Sequence, residues 1–308
     1  MSNRKAGPSR RVKKRGYQSF NVDAAFAPSL YYFQRPQKKH PNSVCNYPVY
    51  LIMKDEYLFR LVKEKALFLN NIQSNWTDVY ELFFVKNKFH YLESKEEINP
   101  YKHFAYAVYG QSWSYNKSSD AMWRIYSQPR KNNVLYGKEL DQDPTATIEE
   151  YESCGVRIRT SLQKLYSVLK KNSLNKTETL MGNILYMEPR DLQKWNRKHR
   201  RVNVADYGRI FKESIFIKRD NFRHENEMRV VVLVPFVLGQ QSELSEMIQL
   251  PLDNPLDFIE EIAVDPRLKP EIAEKEMQRI SKEIGCDRKL LKQSSLYKYV
   301  SQRVELIK

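Results

Sequence analysis

Two glutamates one residue apart, Glu225-Asn226-Glu227, stand just before the apolar run Val230-Val231-Val232-Leu233-Val234. Residues two apart on a β-strand share a face, so both carboxylates are expected to project into one site. Arg229 continues that face, and Lys218 and Arg219 lie on the preceding segment. Two like charges held together raise the pKa of one of them, which suits a carboxylate to acid–base work. The same spacing also suits a salt-bridged strand edge with Arg223 and Arg229 as partners. Ser112-Trp113-Ser114 repeats the geometry with hydroxyls, two on one face and the tryptophan on the other.

The elements that must position these groups follow from hydrophobic period and punctuation. Val49–Met53 is short and apolar, as a strand requires. Asp55 is expected to cap a helix marked by Leu58, Leu61 and Val62. Ala66–Leu69 reads as a second strand, 75–81 as a polar and aromatic loop, and Phe104–Trp113 as a strand ending at the serines. Ser118 or Ser119 can cap a short helix over Asp120–Tyr126. Val156–Thr160 alternates as a half-buried strand, and Leu162, Leu165, Tyr166 and Leu169 mark a helix. Further strands are expected over Asn183–Met187, Ile215–Lys218, Glu227–Phe236 and Phe258–Val264, the third of these buried on both faces. Ala273, Met277, Ile280 and Ile284 mark a last amphipathic helix. The pattern predicts an α+β domain over 48–308, with insertions at about 128–150 and 190–212. A disordered basic arm over 1–16 and an irregular wrap over 17–47 are expected to precede it.

Composition narrows the function classes. With 41% hydrophobic residues among 308, a sizeable core can form. Glycine is scarce at 9, and neither a G-x-G-x-x-G nor a Walker-type loop is present, which argues against Rossmann and P-loop nucleotide sites. The three cysteines and five histidines show no metal-ligand spacing and no disulfide framework, so no metal is expected and a reducing cytoplasmic setting is. No apolar run of about 20 residues offers a membrane span. A formal net charge of +15 favours a polyanionic partner. Within 190–212, Arg197, Lys198, Arg200 and Arg201 surround Trp195, which suits either a solvated face or nucleic acid held by stacking and phosphate contacts. Lys218, Arg219 and Arg229 are further candidates for such contacts.

Taken together, Ser112-Trp113-Ser114, Met122-Trp123-Arg124-Ile125-Tyr126, Gly155-Val156-Arg157-Ile158, Lys218-Arg219, Phe222, Glu225-Asn226-Glu227 and Arg229 resemble a widespread uncharacterised bacterial domain family. Trp76-Thr77-Asp78-Val79-Tyr80-Glu81 resembles another of its signatures, with Val79 replacing the usual proline. The resemblance covers about residues 48–297. That family is in turn similar to ADP-ribosyltransferases of the Arg–Ser–Glu type, whose order is a basic residue on the first strand, then Ser-Thr-Ser, then Glu-x-Glu.

The resemblance implies a split mixed β-sheet with flanking helices and NAD as co-substrate. It implies that Glu227 stabilises the positive ribose, that Glu225 orients or deprotonates the acceptor, and that Ser112 positions Glu227 by a hydrogen bond. Ser114 would shape the nicotinamide pocket, with Tyr126, Trp123 and Trp76 as candidate stacking rings. The first-strand basic residue falls near Leu51, so Lys54 is the nearest substitute for a phosphate anchor. The resemblance further implies a toxin acting on RNA or DNA, RNA foremost, in phage defence, with a neutralising antitoxin protein as partner. Two other readings are open. One is a non-catalytic nucleic-acid-binding or interaction module. The other is a nuclease in which Asp78, Glu81, Glu225 and Glu227 hold Mg²⁺ with Lys218 beside them.

Overall fold

The computed structural model describes residues 47–298, apart from 77, 79, 88, 91–92, 95–96, 99–105, 129, 132–133, 136–153, 173–176 and 236–243, together with two short strands at 19–20 and 30–33. The basic arm, most of the N-terminal wrap and most of the 128–150 insertion lie outside the described residues.

Thirteen strands frame the site: β1 (Ser19–Phe20), β2 (Leu30–Phe33), β3 (Pro48–Lys54), β4 (Ala66–Asn71), β5 (Tyr106–Ser114), β6 (Gly155–Ser161), β7 (Glu178–Asn183), β8 (Leu185–Met187), β9 (Ile217–Arg219), β10 (Glu227–Pro235), β11 (Met247–Pro251), β12 (Glu261–Val264) and β13 (Leu291–Gln293). The helices are α1 (Asp55–Lys63), α2 (Asp120–Tyr126), α3 (Leu162–Lys171), α4 (Pro189–Lys198), α5 (Val204–Ser214) and α6 (Pro270–Ile284), beside shorter turns. One mixed sheet runs β1-β2-β7-β10-β5-β3-β6-β12-β13, with β4 on β5 and β11 on β4. Within it the β2–β7 and β12–β13 pairs are parallel and the others antiparallel, and β8 and β9 form a separate two-stranded parallel sheet.

The sheet splits beside β5. β4 takes that edge at Tyr109 and Gly110, whereas β3 meets it at Ser114 through Tyr50. Gln111, Ser112 and Trp113 are left without a ladder partner on that side, and a cleft opens there.

Alternation along β10 divides the core. Met228, Val230 and Val232 join the cluster made with Leu58 and Leu61 of α1, Leu165 of α3 and Met277 of α6. Val231 and Leu233 join a second cluster with Leu192 of α4, Tyr207 and Phe211 of α5, and Phe83 and Phe84. β10 is thus buried on both faces, as its unbroken apolar run predicts. A Cβ at Gly110 of β5 would come within 2.6 Å of the end of the Ile72 side chain, so a larger residue there would require Ile72 to shift.

Local signals succeeded where a side chain acts on its own neighbours. Ser119 caps α2 by accepting from the Met122 amide at 3.4 Å, and α6 ends at Gly285 in the left-handed region. Several expectations need correction. Asp55 is the first residue of α1, not its cap; Lys54 holds the cap position and the Asp55 carboxylate pairs with Arg279 instead. The expected strand over 183–187 is two strands, β7 and β8, broken at Ile184, whose amide donates to the Glu227 carbonyl at 3.0 Å. The expected strand from Phe258 starts at Glu261, after a short Pro255–Phe258 helix capped by Asn254. The basic 190–212 segment forms α4 and α5, and their apolar faces build the second core cluster.

Candidate active site

The Glu-Asn-Glu triplet does not lie in one strand. Glu225 ends a 3₁₀ turn over Asp220–Glu225, Asn226 takes the left-handed conformation at φ 46° and ψ 56°, and Glu227 opens β10. Asparagine tolerates that conformation better than most residues. The carboxylates converge through this turn rather than by strand alternation.

The Ser-Trp-Ser end of β5 fixes the turn. Ser114 faces Glu227 in register, and its hydroxyl donates to the Glu225 carbonyl at 2.6 Å while accepting from the Asn116 amide at 3.0 Å. Asn116 Nδ2 donates to the His224 carbonyl, and the Tyr115 amide to the Asn226 carbonyl. From the other side, the Glu227 amide donates to the Tyr186 hydroxyl at 2.8 Å.

Around the carboxylates lies a buried ion cluster. Lys218 Nζ donates to Glu225 Oε2 at 2.7 Å and Glu227 Oε1 at 3.0 Å, and stands 3.9 Å from Glu81. Arg229 is fully buried; it grips both Glu81 oxygens, at 3.0 and 3.1 Å, and Glu227 Oε2 at 3.0 Å. Its guanidinium lies 4.3 Å from the centre of the Trp76 ring. Three carboxylates thus face two cations. Burial raises the Glu225 pKa to about 7, helped by the neighbouring Glu227. Burial acts on Glu227 in the same direction, yet Arg229, Glu225 and Lys218 outweigh it and hold that group low, at about 2.

The cluster forms the floor of a cleft of about 920 Å³ walled by β3, the open edge of β5 and one side of α2. Ser112 Oγ is buried there without a hydrogen-bond partner. Tyr57, Ile125 and Tyr126 stand 51%, 47% and 41% exposed at the cleft, among the most open large apolar side chains described. Enclosure of the phenol and the charges of Glu225 and Glu227 push the Tyr126 pKa up.

The structure therefore brings Glu225, Glu227, Ser112, Ser114, Lys54, Tyr126 and Trp76 to one cleft, with Lys218 and Arg219. It does not place every candidate as expected. Ser112 lies opposite Arg229, two pairs along from Glu227, so the expected Ser112–Glu227 hydrogen bond is absent, and Ser114 instead fixes the turn through the Glu225 carbonyl. Trp123 is fully buried and does not line the cleft, since α2 turns Met122, Ile125 and Tyr126 there instead. Arg229 has no exposed charge to offer a phosphate, and Lys218 is bound to carboxylates. Trp195 packs against Phe83, Phe84 and His199 and is half-buried, whereas Arg197, Lys198, Arg200 and Arg201 are exposed as expected. Leu51 lines the cleft, and Lys54 beside it pairs at 3.4 Å with Glu56. Arg219 is held by Asp78 at 2.8 Å and sits over the Tyr80 ring.

Sequence reasoning missed Tyr186 as a support of Glu227 and assigned Glu81 only to a metal reading. Glu81 carried a signal in the Trp76–Glu81 motif; Tyr186 carried none. Among the described residues, no group of three or more His, Cys, Asp or Glu side chains could hold a metal ion. None of the described helices is long and apolar enough to cross a membrane.

No family model matches the chain, and no curated protein matches it. Among solved structures, it is similar to Thermus sp. 2.9 DarT in complex with ADP-ribosylated ssDNA, at 12% identity over 82% of this chain and 97% of that one, with a TM-score of 0.30. It is likewise similar to DarT of the same organism in complex with NAD+, at 13% identity over 80% of this chain and 92% of that one, with a TM-score of 0.27. At TM-scores this low the likeness assigns no residue its role.

Proposed function

We propose that the chain is an NAD-dependent ADP-ribosyltransferase that modifies nucleic acid. One observation carries the reading: Glu225 and Glu227 stand together at the floor of a cleft, in a buried cluster of three carboxylates and two cations, where burial pushes the Glu225 pKa up and Arg229 and Lys218 hold that of Glu227 down. When bound, NAD supplies a ribose carbon that turns positive as nicotinamide departs. A fixed, desolvated carboxylate stabilises such a charge far better than water does. Glu227 fits that task, since Arg229 and Lys218 keep its carboxylate ionised and Tyr186 accepts from its backbone amide. Glu225 fits the task of taking the acceptor's proton, at the oxygen that Lys218 does not bind. The unpartnered Ser112 hydroxyl supplies a polar contact for the co-substrate. Trp76 and Tyr126 offer rings for nicotinamide, and Lys54 a cation for phosphate.

In its finer form the proposal takes RNA as the acceptor and a toxin role in phage defence, with a neutralising protein partner. The net charge of +15 supports a polyanionic acceptor, and the sequence resemblance supports the toxin role. The nuclease reading is less well supported, because Lys218 Nζ occupies the place between Glu225 and Glu227 that a divalent ion would need. The binding-module reading draws support from the exposed cations at the end of and just after α4.

Labelled NAD incubated with the protein and separate pools of RNA, DNA and protein tests the proposal, with Glu227→Gln alongside. Label is expected in a nucleic-acid pool and absent with the variant. Label in no pool, or equal labelling by the variant, overturns it.

A further inference from the structure

Glu225 and Glu227 are held very unequally. Glu227 has Arg229 on one oxygen, Lys218 on the other, and Tyr186 on its backbone amide. Among the described residues, Lys218 is the one cation paired with Glu225. The Lys218 ammonium is nearly enclosed, at 9% side-chain exposure, and lies 4.6 Å from the Phe222 ring centre. It cannot reach bulk phosphate while it stays there. Its place is fixed from behind by β9, where Lys218 stands in register with Tyr186 of β8. One short parallel pair thus delivers both the clamp on the carboxylates and the hydroxyl under Glu227.

We propose that Lys218 is a positioning residue of this site: its ammonium ties Glu225 to Glu227 so that both carboxylates present to the cleft as one unit. This rests on the transferase reading for its meaning but not for its geometry. A second carboxylate two residues from an ionised, desolvated one would turn outward to water if nothing bridged them. The bridge keeps Glu225 inside. The groups that face Glu225 are Lys218 from β9, Glu227 from β10, Tyr126 from α2 and Tyr186 from β8, while Glu81, in the turn over 80–86, lies 3.9 Å from Lys218. Of these, Lys218 alone is a cation touching its carboxylate, so its removal strips the largest favourable partner of the ionised form. Glu227 also loses its Lys218 contact but keeps Arg229, so the larger effect should fall on Glu225, which is left with no cation on its carboxylate among the described residues.

The test uses Lys218→Met, which keeps the chain length without the charge, and Lys218→Arg. Glutamate side chains are labelled with ¹³C, and the carboxyl signals are followed against pH, with Glu225→Gln assigning the Glu225 signal. In Lys218→Met that signal is expected to titrate at least one pH unit higher than in the unaltered protein, with Glu227 remaining ionised. Lys218→Arg should restore most of the original curve. In the transfer assay, Lys218→Met should lower turnover about tenfold or more at pH 7 and recover as pH rises, with the KM for NAD within about threefold. Unmoved carboxyl signals overturn the clamp, as does a loss of turnover equal at every pH. A shifted Glu225 signal in a protein that transfers nothing from NAD leaves the clamp standing and removes the transferase reading instead. A defect confined to oligonucleotide binding would return Lys218 to a phosphate-contact role and overturn the proposal.

Discussion

The two faces of β10 do opposite work with alternate residues of the same nine-residue strand. On one face Met228, Val230 and Val232 pack into an apolar cluster with three helices. On the other, Glu227 and Arg229 precede Val231 and Leu233, and the first two positions hold an ion cluster where core would otherwise be. The apolar face needs only volume and shape. The charged face needs each group to find its partner, because an uncompensated buried charge costs several kcal/mol. The difference teaches that β10 is both the structural spine and the site's anchor, and that its two functions can be broken separately.

Arg229→Met should be the harshest test, since it leaves Glu81 and Glu227 buried without their main cation. Destabilisation of about 3–5 kcal/mol is expected in urea unfolding; a loss under about 1 kcal/mol would mean the cluster is not buried as described. Glu227→Gln removes one charge from the same face while keeping shape. Transfer should fall about 10²–10³-fold with the fold retained, the size found for single groups aimed at transition-state charge. On the opposite face, Val230→Ala should cost about 2 kcal/mol through lost burial and leave the NAD-dependent rate per folded molecule unchanged. A rate change with Val230→Ala would show that the faces are not independent.

Protons sharpen the comparison further. Between its ordinary 4.5 and about 7, Glu225 holds a proton in the folded protein that the unfolded chain has released. Its contribution to stability therefore falls as pH rises across that window. Glu227 acts with the opposite sign: its stabilisation is present above 4.5 and is lost as pH falls toward 2. If Glu225 is the proton acceptor, single-turnover transfer rises through about pH 7, and a flat profile between pH 6 and 8 would remove it from that role. The smallest effect is expected at Ser112. Its hydroxyl has no partner to lose, so Ser112→Ala should change stability by no more than about 0.5 kcal/mol, whereas Ser114→Ala, which frees two backbone groups, should cost about 1–3 kcal/mol. Equal melting curves for the two would contradict the register of β5 on β10.

Legibility followed the range of the interaction. Helices α1, α2, α3 and α6 could be read from apolar spacing, and the Ser119 cap from its own sequence, because those signals act over three or four residues. β7 was missed apart from Asn183, since Glu178, Gly182 and Asn183 dilute its apolar pattern while pairing with β10 on one side and β2 on the other holds it extended. β11 and β13 were missed for the same reason: each is short and is stabilised by a neighbour distant in sequence. At the site, the pairing of Glu225 with Glu227 was legible and its cause was not. The left-handed Asn226 replaced the expected alternation, and asparagine at that position was the one local hint. Trp195 and Trp123 had the composition of stacking groups, yet one faces a ring cluster and the other the interior.

The sequence alone determined that Glu225 and Glu227 would stand beside each other at the head of a buried strand, because spacing and hydrophobic pattern constrain where a chain can place its own near neighbours; that Ser112 and Ser114 meet them was implied only by the family resemblance. Only the tertiary structure decided which serine supports the pair, which cation lies between the carboxylates, and that their surroundings push the Glu225 pKa up and the Glu227 pKa down. Those outcomes depend on groups up to 148 positions apart in sequence, such as Glu81 and Arg229, brought within about 3 Å where water is excluded. The charge state of a buried carboxylate is set by that enclosure and by its neighbours' charges, neither of which is written in the residues beside it.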